Sequence, residues 1–92
     1  MTTTLPQIAL YTRTGCHLCE EAETLLARLS AELGVVAELT VINLTDEPEF
    51  EADYGQRVPV IEVSGVADVL EAPVREAELR QLLSRLPTGR RA

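Results

Sequence analysis

The spacing of hydrophobic positions changes several times along the chain, and each change marks an element. Ile8, Ala9, Leu10, Tyr11 and Thr12 form a short apolar run with β-formers at its ends, closed at once by Thr14 and Gly15, which predicts a buried strand. From Cys16 to about Leu33 the apolar residues Leu18, Ala22, Leu25, Leu26, Leu29 and Leu33 recur at three and four positions, with Glu21, Arg28 and Glu32 elsewhere around the cylinder. That period predicts an amphipathic helix, ended by Gly34. Residues 36–44 alternate in part, Ala37, Leu39 and Val41 against Glu38 and Thr40, and predict a second strand. A strand, helix, strand unit of this length crosses over right-handed and leaves its strands parallel, so the loop at residues 13–15 sits at a strand's carboxyl end.

The second half reads differently. Thr45 or Asp46 can cap a short helix with Pro48 in its first turn, Phe50 and Tyr54 on one face, and Gly55 as the stop. Residues 59–63 and 66–70 flank Ser64 and Gly65, the spacing of a two-residue hairpin, and predict two antiparallel strands with Pro59 at the start of the first. A last helix starts at Pro73, buries Leu79, Leu82, Leu83 and Leu86, sets Glu76 and Arg80 one turn apart, and stops at Pro87. The predicted order is β-α-β-α-β-β-α.

Composition narrows what such a chain can do. Its 92 residues, 46% hydrophobic, have no low-complexity break, so one domain over residues 1–92 is expected, with residues 1–6 and 88–92 as flexible ends. A chain of this size buries about two-thirds of the surface it exposes unfolded, enough for a core without metals or staples. The net charge is −7, with fifteen acidic residues, eight arginines and no lysine, which argues against a polyphosphate partner. Nucleic acid is therefore not expected as a ligand. The adjacent Arg90 and Arg91, behind Pro87 and Gly89, read as a solvated tail. The first residues lack a basic region followed by an apolar stretch, and no run of eighteen apolar residues occurs. No membrane span is expected, and the expected location is the cytoplasm.

Two cysteines in a chain of that kind belong in a reducing compartment, where close pairs are catalytic or metal-binding. Cys16 and Cys19 stand three positions apart at a helix start, where helical geometry puts their Cα atoms about 5 Å from each other, inside the disulfide window. Unpaired amide groups and the positive dipole end there favour a thiolate, and Cys16 gains most. Glu20, one turn beyond Cys16, opposes this, and Glu21 and Glu23 add to it. Arg13, and His17 when protonated, push the other way. A lowered Cys16 pKa with Cys19 as resolving thiol is the expected division of roles. Zinc wants four N or S ligands and the chain offers Cys16, Cys19 and His17, so no resident metal or cofactor is expected. His17, adjacent to Cys16, points elsewhere on the helix, as an exposed histidine does.

The segment Tyr11-Thr12-Arg13-Thr14-Gly15-Cys16-His17-Leu18-Cys19 resembles the active-site loop of the glutaredoxin-like family of the thioredoxin superfamily. Some forty residues on, Arg57-Val58-Pro59-Val60 resembles the Val-Pro step that carries a cis-proline facing the dithiol in that superfamily. The resemblance covers nearly the whole chain. It implies an α/β thioredoxin-like fold of glutaredoxin type, a four-stranded mixed sheet flanked by helices. It also implies thiol–disulfide exchange through Cys16 and Cys19, with Val58 pairing its backbone with substrate beside a cis Pro59. Arg13 matches the place where many glutaredoxins have a lysine near the glutathione glycine carboxylate, and a guanidinium can grip a carboxylate too. An exposed, solvated arginine is the plainer meaning of the same residue. The usual Cys-Pro-x-Cys proline is His17 here, and the Gly-Gly step appears as Ser64-Gly65-Val66, with Asp68 in reach of a thiol peptide's amine. The implied partners are a disulfide-containing protein or a low-molecular-weight thiol, glutathione being one possible reductant, acting on a monomer. Two other classes stay open: a non-redox binding module using the Val58–Pro59 groove, and a zinc or iron-sulfur carrier bridging two chains.

Overall fold

The computed structural model of the protein describes residues 5–89. Strand β1 (Gln7–Thr12) leads through a tight loop into helix α1 (His17–Leu33), and β2 (Glu38–Asn43) follows. A 3₁₀ turn (Pro48–Phe50) runs into the short helix α2 (Glu51–Tyr54), then come β3 (Val60–Val63), β4 (Leu70–Glu71) and helix α3 (Glu76–Leu83). The four strands form one sheet in the order β2-β1-β3-β4. β1 pairs parallel with β2 and antiparallel with β3, and β4 pairs antiparallel with β3. The expected element order and thioredoxin-like α/β architecture are the ones observed.

Strand periodicity sorts the side chains between two faces. Ile8, Leu10, Ile61 and Val63 join Leu26 and Leu29 of α1 and Leu79, Leu82 and Leu83 of α3 in the main core. Tyr11 and Val60 turn to the other face, where Leu44 completes a smaller buried cluster and Phe50, Tyr54 and Ile42 pack on it. α1 ends as its glycine dictates: Gly34 has φ 68°, and the Val35 N–H donates to the Ser30 carbonyl at 2.9 Å, a Schellman closure. The helices α1 and α3 are tied by a square of charges. Arg28 meets Glu76 at 2.9 Å and Glu32 at 3.5 Å, and Arg80 meets both acids at 2.9 Å.

Four local expectations give way. The helix stripe expected to be buried from its first leucine is not, because Leu18 is 53% exposed. The strands after Pro59 are antiparallel as expected, but the tight hairpin between them does not form. Ser64 and Gly65 do make a turn, with the Val66 N–H donating to the Val63 carbonyl at 3.1 Å, but φ is positive only at Gly65 (78°). That is a type II turn, whose twist splays the flanking strands instead of continuing the ladder. Pairing resumes only at Leu70 opposite Ile61, so β4 is two residues long. Third, Pro73 is not the first residue of the last helix. The Ala72–Pro73 bond is cis and α3 starts at Glu76 with Arg75 as its cap. Finally, neither Thr45 nor Asp46 caps the short helix, whose entry residue is Glu47, and Gly55 closes it with φ −54°, in the right-handed region.

Of the ends expected to be flexible, Thr88 bridges Val35 and the Gly89 N–H donates to the Gly34 carbonyl at 3.0 Å. Residues 1–4 and 90–92, including Arg90 and Arg91, lie outside the described residues. Among the described residues no helix is long and apolar enough to cross a membrane.

Candidate active site

The cysteine loop is built by a turn that needs its glycine. Between Arg13 and Cys16 the Cys16 N–H donates to the Arg13 carbonyl at 3.1 Å while Gly15 takes φ 77°, a conformation unfavourable for any residue with a Cβ. The turn delivers Cys16 as the cap of α1, in extended conformation. Cys16 is half-buried, whereas Cys19, one turn on, is 2% exposed. The pair stands at disulfide distance, with Cα atoms 5.1 Å apart. The Cys19 N–H donates to Cys16 Sγ at 3.1 Å, so an otherwise unpaired amide of the helix start is aimed at the outer sulfur.

The loop is clamped from the end of β2. Asn43 donates from Nδ2 to Thr14 Oγ1 at 3.0 Å, and the Thr14 N–H donates to Thr45 Oγ1 at 3.2 Å. The Leu44 N–H reaches the Thr12 carbonyl at 2.9 Å. Thr45, expected as a helix cap, thus spends its hydroxyl on the cysteine loop.

Opposite the loop lies the Val-Pro step. The Val58–Pro59 bond is cis, as the resemblance implied. Because Tyr11 pairs with Val60, the register carries Pro59 to the level of Thr12, at the end of β1 from which the cysteine loop leaves. Pro59 is fully buried. Val58 is held by its own N–H, which donates to the Tyr54 carbonyl at 3.1 Å. Its carbonyl has no hydrogen-bond partner among the described residues and is the group it can offer a bound chain.

Arg13 is engaged elsewhere than at an open site. Its Nη2 donates to Glu51 Oε2 at 2.9 Å and to the Gly55 carbonyl at 2.8 Å, fastening α2 to the loop. The hydrogen bond to Glu51 raises the guanidinium pKa further. Gly55 leaves room here, since a Cβ would fall 2.6 Å from the Glu51 carbonyl oxygen and would also displace the carboxylate that Arg13 holds. His17 faces away along α1, with Nε2 3.2 Å from Glu21 and Nδ1 3.8 Å from Glu20, and is 83% exposed.

Sequence reasoning passed over one cluster beneath the site. Tyr11 and Tyr54 stack with centroids 3.8 Å apart, and both phenols donate to Glu62, at 3.1 Å and 2.7 Å. Burial is the main cause raising the Tyr11 pKa, and its partners Tyr54 and Glu62 add to it. For Tyr54 the bond to Tyr11 works downward, but Glu62 and burial outweigh it and the pKa is raised. The signal was a single acid among Val60, Ile61 and Val63 in an otherwise apolar strand, on the face that Tyr11 shares through β1.

The profile of the glutaredoxin-like domain family (DUF836) matches residues 7–84. The chain belongs to that family. An uncharacterized protein of Mycobacterium tuberculosis (strain H37Rv) is 38% identical over 63 residues, 65% of this chain, and the match spans 65% of that protein's length. Thioredoxin from Methanocaldococcus jannaschii is 28% identical over 81 residues, covering 87% of this chain and 95% of that one. Among solved structures, a structural-genomics target protein from X. campestris superposes with a TM-score of 0.68 and 31% identity, over 87% of this chain and 99% of that one. The glutaredoxin-like domain therefore carries its two cysteines on a thioredoxin fold at the end of β1.

Proposed function

We propose that the protein is a dithiol thiol–disulfide oxidoreductase. The observation that carries this reading is the asymmetry of the pair. Cys16 is reachable and capped by the amide of Cys19, while Cys19 is buried 5.1 Å away between Cα atoms, beside a cis-proline strand. The amide and the positive end of α1 favour a Cys16 thiolate.

The thiolate attacks one sulfur of a substrate disulfide. That S–S bond breaks, the leaving sulfur departs as a thiolate and takes up a proton, and Cys16 is left in a mixed disulfide. Cys19, losing its proton, then attacks Cys16 Sγ, the second substrate thiol leaves, and the Cys16–Cys19 bond closes. Two electrons pass from the dithiol to the substrate, and another thiol reductant returns them. The substrate in this reading is a disulfide-bearing protein or a small thiol's disulfide, and the protein acts as a monomer in the cytoplasm.

Stopped-flow reduction of a model disulfide tests it. Cys16→Ser is expected to remove turnover entirely, and turnover that survives in Cys16→Ser overturns the reading.

A further inference from the structure

The apolar stripe of α1 outruns the helix that covers it. Glu76, the first residue of α3, meets Arg28, and Arg80, one turn later, meets Glu32, one turn after Arg28. The two helices therefore run in the same direction, and α3 begins only at the level of Arg28. The turns of α1 before that point project past it. Their stripe continues through Leu18, Ala22 and Leu25, at the i, i+4, i+7 spacing of one helix face. Across from it stand Pro73 and Val74, just after the cis Ala72–Pro73 bond. Between them lies a groove of about 280 Å³ lined by Leu18, Glu21, Ala22, Leu25, Pro73 and Val74. Its volume suits one or two side chains rather than a cofactor.

A second hollow, of about 410 Å³, continues from it, sharing Glu21 and Leu25 and adding Glu20, His17, Thr24 and Arg28 to the lining. Both glutamates are well exposed, at 73% and 62% of their side chains. Cations that could neutralise this rim for an anionic ligand are committed or aimed elsewhere. Arg13 is bound to Glu51 and Gly55, Arg28 to Glu32 and Glu76, and Arg75 opens onto a different hollow that it shares with Glu71 and Glu78. His17 is shared between the same two glutamates. Leu18 stands two residues after Cys16, in the first turn of α1, so the groove opens in the same turn as the cysteine pair and lies within the reach of a residue near the cysteine in a bound chain.

We propose that this groove selects the substrate: a polypeptide disulfide whose cysteine is flanked by an aliphatic and a basic side chain, in preference to an anionic low-molecular-weight disulfide. The aliphatic group seats on Leu18, Leu25 and Val74, and the basic group meets Glu20 and Glu21. The proposal rests on the dithiol reading above and adds its substrate class.

Single-turnover kinetics with the pre-reduced full chain test it. The probes are two synthetic peptides of equal length, each with one cysteine capped as a disulfide with 2-thiopyridine. One carries Leu and Arg beside the cysteine, the other Ser and Asp. Attack by Cys16 on the peptide sulfur releases 2-thiopyridone, and Cys19 then releases the peptide thiol. Rates are divided by those of dithiothreitol on the same peptide, which removes differences in intrinsic reactivity. The neutral 2,2′-dithiodipyridine reports the dithiol itself. The Leu/Arg peptide is expected to react about tenfold faster than the Ser/Asp peptide. In Leu18→Ser with Glu21→Gln that ratio should fall to within about twofold, and in Glu21→Gln alone to an intermediate value with a weaker salt dependence. Equal or inverted ratios in the wild-type protein, with brisk reduction of dithiodipyridine, overturn the groove proposal and leave the oxidoreductase standing. No reduction of any of the three overturns both.

Discussion

Arg13 holds Glu51: the guanidinium that the family resemblance sets near a substrate's carboxylate is bonded to the first residue of α2, 2.9 Å from its carboxylate. The same nitrogen reaches the Gly55 carbonyl, so the cysteine loop and α2 are joined through one side chain. Nη2 is taken by these two bonds, so a ligand meets the guanidinium through its remaining donors or by displacing Glu51.

Glu51→Gln removes the competitor and keeps the shape. The expected result is a fall of about threefold in KM for oxidised glutathione, with kcat little changed, measured by steady-state reduction with an excess thiol donor. An unchanged KM in Glu51→Gln together with a raised KM in Arg13→Gln would mean that Arg13 reaches the substrate without leaving Glu51.

Burial assigns the cysteines different fates. In Cys19→Ser the first exchange proceeds and the second cannot, so a covalent adduct of one substrate thiol on Cys16 should accumulate, visible as a mass increase by intact-protein mass spectrometry. Cys16→Ser should form no such adduct, since the remaining sulfur is 2% exposed.

Both tyrosines of the chain share Glu62, and there is no tryptophan, so ultraviolet absorbance titration reads this cluster alone. Both phenols have raised pKa values, and the tyrosinate signal should appear above the ordinary pH of about 10 in the folded protein. Above that pH the unfolded chain loses phenolic protons that the folded chain keeps. The associated stability is whole below pH about 10 and is lost as pH rises beyond it. Thermal midpoints should decline in that range, and less steeply in Tyr11→Phe.

The fold was legible where one period ran unbroken. β1, α1 and the parallel step to β2 follow from the spacing at Ile8, Leu10, Leu26 and Leu29, all of which are buried. Gly34 stopped α1 because a left-handed residue was needed there. Legibility failed where a turn's handedness mattered more than its length. Ser64 and Gly65 have hairpin spacing, but a positive φ at the second position alone cannot steer the ladder. It failed again at Leu18, because periodicity marks a stripe without saying where the covering helix begins. At the site, the cysteines and the cis Val58–Pro59 step were readable as a motif, whereas the Asn43 and Thr45 clamp and the tyrosine pair on Glu62 depend on contacts between distant strands.

The same contrast gives a stability test. Leu26 is 1% exposed, and Leu26→Ala should cost about 2–5 kcal/mol by denaturant unfolding. Leu18→Ala, eight residues earlier on the same helix, should stay within about 0.5 kcal/mol of the parent.

The most direct test of the account is the redox equilibrium of Cys16 and Cys19, read by mass spectrometry of trapped thiols in defined dithiothreitol or glutathione buffers with metal removed. The account predicts a reversible two-electron transition at a potential between about −160 and −300 mV. Thiols that remain reduced at every poise would contradict it.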